Sequence, residues 1–214
     1  MKLTVLGATG GIGGEVVRQA LLAGHEVTAV VRDPSRFSVD GDLTDGRLRV
    51  VTVDLTSPED LVPALTGRHA VLSGLGARTR KDAGVATRLT RTLLTAMETT
   101  DVRRLVVVSA APVGPAPADD GFLDRTVRTL VSAVLKDIYT DLRAMETAVA
   151  GSATEWTVVR PPRLQNKPLT GGYRTVVGGF PARGRFIGRA DVAHSMLALT
   201  NDPAAVKQGV GVAY

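Results

Sequence analysis

Near the amino terminus, Gly7-Ala8-Thr9-Gly10-Gly11-Ile12-Gly13 sets glycines at every third position between an apolar run (residues 2–6) and a helical pattern starting at Glu15. Glycines so spaced handle phosphate through the backbone. The first permits a tight turn, the second lets main chain approach a pyrophosphate, and the third lets helix and sheet pack closely. The helix that follows offers free N–H groups and the positive end of its dipole to the anion. No Gly-Lys-Ser/Thr follows, which excludes a nucleoside-triphosphate P-loop. A tight turn with no ligand is the plain alternative, but the strand–turn–helix setting favours a dinucleotide.

The second strand decides which dinucleotide. A carboxylate about 20 residues beyond the glycines would bind a ribose 2′-hydroxyl. Here the strand runs out as Val30-Val31-Arg32-Asp33-Pro34-Ser35-Arg36. Arg32 takes the place of the acid and Arg36 reaches the same spot, so a 2′-phosphate would meet two guanidiniums. The expected cofactor is therefore NADP(H). Asp33 precedes a proline, a pair that starts turns and can direct the carboxylate away. Ordinary surface arginines at 32 and 36 are the alternative.

Other strand ends face the same crevice, because ligands of open α/β sheets bind outside the carboxyl ends of the strands. Asp54 and Leu55 follow the third strand, where Asp54 can accept from an adenine amino group and Leu55 can cover the ring; a turn cap is the competing role for Asp54. Gly74, Leu75 and Gly76 follow the fourth and leave room for ribose, with Arg78 near the phosphates. Ser109 and Ala110 follow the fifth, where nicotinamide and substrate should meet, although Ser109 can equally start a capped loop. Pro161-Pro162-Arg163 follows the sixth.

The elements needed to align these ends can be read from periodicity. Strands are expected over residues 2–6, 26–31, 47–53, 69–75, 103–109 and 155–160. Helices are expected over 15–23, 57–65, 84–100, 123–150 and 190–200. The run Leu105-Val106-Val107-Val108 is apolar on both faces, the mark of a central parallel strand. Strands alternating with helices predict an α/β fold with a doubly wound parallel sheet. After Pro162 the pattern loosens into a Gly-, Pro- and Arg-rich stretch (163–189) with short strand-like pieces at 173–177 and 185–187. Residues 209–214 read as a final edge strand. The expectation is one domain over 1–214, with 163–189 as a small carboxy-terminal elaboration on the substrate side.

Composition excludes several classes. The 214 residues are 44% hydrophobic and 22% charged, enough for a sizeable core. With 0 cysteines and 3 histidines at unsuitable spacing, thiolate chemistry is excluded and a metal site is not expected. The net charge of +5 comes mainly from scattered arginines, and aromatics are only 4%, so nucleic acid is not the expected partner. The basic surface suits anionic small molecules instead. No apolar stretch approaches a membrane span and none resembles a signal peptide, so the cytoplasm is the expected location. A monomer is plausible and a homo-oligomer possible.

Taken together, these motifs resemble the atypical short-chain dehydrogenases/reductases, and within them the NADPH-dependent flavin reductase/biliverdin-IXβ reductase group and its NmrA-like relatives. The resemblance covers nearly the whole chain. It rests on Gly7-Ala8-Thr9-Gly10, residues 31–36, Leu75-Gly76-Ala77-Arg78, Val108-Ser109-Ala110 and, most specifically, Arg160-Pro161-Pro162-Arg163 followed by Pro168-Leu169-Thr170-Gly171-Gly172-Tyr173. It implies a Rossmann-type fold, NADP(H), and hydride transfer to a flavin, quinone or tetrapyrrole. It also implies that Arg32 and Arg36 hold the 2′-phosphate, that Ser109 sits beside the nicotinamide, and that Pro162, Arg163 and Leu164 border the carboxamide and acceptor. The biliverdin-reducing member has His after the double proline; Arg163 here cannot titrate near neutrality and would attract an anionic acceptor instead. The superfamily's Tyr-x-x-x-Lys pair is approximated only by Tyr139 and Arg143, which reads as a packed or surface tyrosine. The alternative implied function is a non-catalytic NADP(H) sensor that docks a partner.

Overall fold

Alternation decides which face of each strand is covered. In β1 (Lys2–Leu6), Leu3 and Val5 join one apolar core, while Leu6 joins the other. β2 (Glu26–Val31), β4 (Ala70–Ser73), β5 (Arg104–Val108) and β6 (Glu155–Arg160) divide their side chains in the same way. A sheet apolar on both faces must carry helices on both. The computed structural model describes residues 1–39, 46–76, 84–115 and 135–214 and shows that sandwich. Helices α1 (Gly11–Leu22) and α5 (Arg189–Thr200) cover one face. Helices α2 (Pro58–Leu65), α3 (Val85–Thr100) and α4 (Lys136–Ala150) cover the other.

With β3 (Leu48–Thr52), β8 (Arg174–Val177) and β10 (Gln208–Ala213), the eight strands run in the order β3-β2-β1-β4-β5-β6-β10-β8. The first six reproduce the order of dinucleotide-binding sheets, all parallel. β5 lies inside the sheet with parallel neighbours on both sides, as its unbroken apolar run requires. The described part of the helix expected over 123–150 is α4; its earlier residues lie outside the described segments.

The carboxy-terminal strand differs from expectation. β10 lies inside the sheet, parallel to β6 and antiparallel to β8, and the exposed β8 forms the edge. Gly209 and Gly211 give β10 the look of a weak edge. Their actual use is close approach. A Cβ at 209 would collide with the Arg160 guanidinium, and one at 211 would lie 2.5 Å from Gly179 O. A short second ladder pairs β7 (Arg163–Gln165) with β9 (Phe186–Gly188) in parallel, within the segment assigned to the substrate side.

Two buried polar side chains set helix positions. Arg104 donates to Thr200 O (2.8 Å) and Leu199 O (2.5 Å), placing a cation at the negative end of α5. Asp141 of α4 accepts from Ala86 N and Thr87 N, both at 3.0 Å, and so caps α3 from outside its own sequence.

Candidate functional site

Parallel pairing brings the carboxyl ends of β1, β2, β4, β5 and β6 to one edge, and ladder-like hydrogen bonds continue past them. Val53 N donates to Val31 O (2.9 Å), Gly74 N to Leu6 O (3.0 Å), Ser109 N to Val159 O (2.8 Å) and Ala111 N to Pro161 O (2.8 Å). The residues singled out at strand ends therefore form a continuous rim.

At its centre three stretches of backbone converge. Gly7 adopts φ +74°, and a Cβ there would lie 2.8 Å from Gly74 C and O. A Cβ on Gly13 would run into Gly7 O. Gly10 N bonds Gly7 O at 2.8 Å, and Gly10 then leads into α1 with no side-chain cap. The first turn of α1 thus keeps main-chain donors for a ligand, while Ala8 and Ile12 anchor the turn in the core. This cradle, with Cβ atoms excluded at Gly7 and Gly13, fits a pyrophosphate.

Arg32 and Arg36 are exposed and flank a short turn, Pro34–Arg36. Asp33 caps that turn, its Oδ1 accepting from Ser35 Oγ (2.6 Å) and Ser35 N (3.0 Å). The Ser35 hydroxyl and amide hold the Asp33 carboxyl below its ordinary range, so its charge is committed to the turn. Asp54 behaves alike: Oδ1 accepts from Thr56 Oγ1 (2.6 Å) and Thr56 N (2.8 Å), which is the turn-capping role. Leu55 departs from expectation. At φ +65° the backbone turns its side chain into the core, and with 3% exposure it has no face left to cover an adenine ring. Gly74, Leu75 and Gly76 lie at the end of β4 beside the glycine turn, whereas Arg78 lies outside the described residues.

Beyond β5, Ser109 is 7% exposed and its Oγ has no hydrogen-bond partner among the described residues. An orphaned buried hydroxyl is costly unless a ligand completes it. Ala110 packs against the core beneath α2, α3 and α4, and Leu164 against the core beneath α1 and α5; Pro162 is partly buried and Arg163 exposed. Tyr139 faces the core between sheet and helices, and burial raises its pKa, the reverse of what a proton-transfer tyrosine needs. Arg143 instead donates to Pro112 O at 3.4 Å.

Two features of the rim had no recognised signature. Arg189, the first residue of α5, crosses Gly11 and donates to Asn166 Oδ1 at 2.6 Å. The doubled Gly10-Gly11 was the available signal, since Gly11 falls outside the three-residue spacing. The second feature is Asp191, fully buried. It accepts from Gly171 N (2.8 Å), Thr170 N (3.1 Å), Thr170 Oγ1 (3.0 Å) and Tyr214 OH (2.5 Å). It thereby ties the 163–189 segment to α5 and to β10. Burial opposes ionisation of Asp191, but the bonds from Tyr214, Gly171 and Thr170 outweigh it and leave the pKa lowered. A lowered folded pKa stabilises the protein above the unfolded aspartate value of about 3.9, and the contribution is lost as pH falls through the folded value. Asp191→Asn should therefore cost about 2 kcal/mol at pH 7, with the gap to wild type closing below about pH 4. Urea unfolding of both proteins across pH measures this; a gap independent of pH would refute it.

Comparison with known proteins is decisive at this point: a family model described as NAD(P)H-binding matches residues 7–203. The chain belongs to the NAD(P)H-binding family. Its cofactor is thus a nicotinamide dinucleotide, and the glycine turn lies at the start of the matched region. Among curated relatives, a photosystem II assembly factor of Cyanophora paradoxa is 35% identical over 85 residues, 40% of this chain and 26% of that protein. A 3-diazoavenalumate denitrifying reductase of Streptomyces is 33% identical over 129 residues, 56% of this chain and 42% of that protein. The chain thus spans less than half the length of either. Among solved structures, a short-chain dehydrogenase/reductase of Veillonella parvula in complex with NADP has TM-score 0.80 at 19% identity, covering 100% of this chain and 94% of that one. An anaerobillin reductase of Escherichia coli has TM-score 0.78 at 20% identity, covering 100% and 97%. Both share the fold of this chain. Among the described residues, no helix is long and apolar enough to cross a membrane.

Proposed function

We propose that this NAD(P)H-binding protein is an NADPH-dependent reductase of a planar small-molecule acceptor: a flavin, quinone or tetrapyrrole. The observation that carries this reading is the buried Ser109 Oγ at the end of the central strand, which has no partner among the described residues. In this reading it hydrogen-bonds the nicotinamide carboxamide and fixes the ring against the sheet. Arg32 and Arg36 bind the 2′-phosphate, Asp33 being occupied by Ser35. Gly74 and Gly76 leave space for ribose, and Pro162, Arg163 and Leu164 border the acceptor.

The bound cofactor supplies a hydride. The chain's part is positioning, which carries most of the catalysis in such transfers. Tyr139 is buried in the core and takes no part in proton transfer, so solvent supplies the proton. Arg163, permanently charged and exposed, draws anionic groups of the acceptor. The reductase names among relatives and structural neighbours support the same reading. The assembly factor among the relatives favours a second one, a dinucleotide-responsive protein that docks a partner.

Purified protein is expected to oxidise NADPH faster than NADH when FMN, riboflavin, a quinone or biliverdin is present, followed by absorbance of the reduced nicotinamide. Tight NADPH binding without turnover on any of these acceptors would sink the reductase reading and support the second.

A further inference from the structure

Arg189 stands first in α5 yet lies across the first residue of α1. A Cβ on Gly11 would come within 2.7 Å of Arg189 Cδ and 3.1 Å of Nε, so glycine at position 11 preserves the path of the arginine. Gln19 of α1 donates to Ala190 O at 2.8 Å, which fixes the first turn of α5 against α1. The far end of the guanidinium is held by Asn166 Oδ1 at 2.6 Å.

The charge environment differs between the two helix ends: Asp191 is an acid in the first turn of α5, whereas the first turn of α1 has none. Arg189 thus brings a cation to the amino terminus of α1, where the positive end of the helix dipole has no acidic side chain beside it. Among the described residues, no carboxylate forms an ion pair with Arg189. Nearby Asp191 is taken up by Thr170, Gly171 and Tyr214. An anion arriving at the α1 amino terminus would meet both the free N–H groups and the Arg189 guanidinium, and that is where a dinucleotide presents its pyrophosphate.

We propose that Arg189 is a pyrophosphate-binding residue, held ready by Asn166. The phosphate then completes a bridge from the glycine turn through Arg189 to the acceptor-side segment. The cofactor diphosphate thereby has a side-chain ligand from the far end of the chain, in addition to backbone N–H groups. This inference rests on the cofactor site and not on any acceptor, so a protein that binds NADPH without turnover leaves it standing.

The test measures binding of NADPH and NADH to full-length Arg189→Ala by fluorescence titration. Both dinucleotides carry the pyrophosphate, so both dissociation constants should rise by about tenfold to a hundredfold with their ratio unchanged. The salt dependence of binding should also weaken, because one charge contact is gone. Arg189→Gln keeps much of the stem over Gly11 and guards against misfolding. It should lose affinity for both dinucleotides while the thermal midpoint of the cofactor-free protein stays at the wild-type value. A loss confined to NADPH would assign Arg189 to the 2′-phosphate. An unchanged affinity or an unchanged salt dependence would leave it a structural residue. Each of these results overturns the proposal.

Discussion

Replacing Gly13 with alanine is expected to abolish measurable NADPH binding, whereas Gly14→Ala, one residue further on, should leave it nearly unchanged. The contrast follows from what each Cβ would meet. At Gly13 it would collide with Gly7 O and lie 2.6 Å from Gly7 C and 3.0 Å from Ala8 N. These are backbone atoms, and Gly7 has no room to retreat because its own Cα faces Gly74 across the crevice. Relief requires α1 to move off the sheet, which takes the helix N–H groups away from the phosphates. Overpacking of this kind costs about 1–3 kcal/mol of stability, and displacing the donors should cost more than about a hundredfold in affinity. At Gly14 the nearest atom is Ala8 O at 3.3 Å, an adjustment of a few tenths of an ångström. Alanine there also gains up to about 1 kcal/mol of helix propensity. Urea unfolding and NADPH titration of the two variants measure both effects. Equal losses at the two positions would mean that the turn is not held by this three-way backbone contact.

That turn was legible because its chemistry is local: strand, glycines and helix adjoin in the chain. The rim was legible for a related reason, since parallel strands bring their carboxyl ends to one edge whatever lies between them. The misreadings arose where a residue answers to something remote or to a single dihedral angle. Residues 209–214 read as an edge strand, yet β10 pairs on both sides, and Arg160 and the backbone at 179–180 pass close over Gly209 and Gly211. Leu55 follows a strand and is apolar, which suits a ring cover, but φ +65° sends it into the core. Arg189 was only one of several arginines in a loosely patterned stretch. Its partners, Gly11 and Asn166, lie far from it in sequence and nothing in the local pattern points to either. Asp191 is similar: its ligands Thr170, Gly171 and Tyr214 come from two directions. Such tertiary hydrogen bonds leave no periodicity to read.

The choice of dinucleotide provides the second large effect. In Arg32→Ala/Arg36→Ala, NADPH affinity should fall by about a hundredfold or more while NADH affinity holds, erasing or inverting the preference. A hydrogen bond to a charged group contributes about 1.5–3 kcal/mol, so two guanidiniums on one 2′-phosphate account for that factor with allowance for their exposure. The double substitution also leaves Asp33 as the only charged side chain on the turn that follows β2. Its Oδ1 is occupied by Ser35, but the remaining negative charge would repel a 2′-phosphate and tolerate a 2′-hydroxyl. Titrating both dinucleotides against wild type and variant separates this from the effect at Arg189, where the two affinities should fall together. A parallel fall of NADPH and NADH in the double variant would show that Arg32 and Arg36 shape the turn without reading the phosphate. The NADP(H) preference would then have to come from elsewhere in the chain.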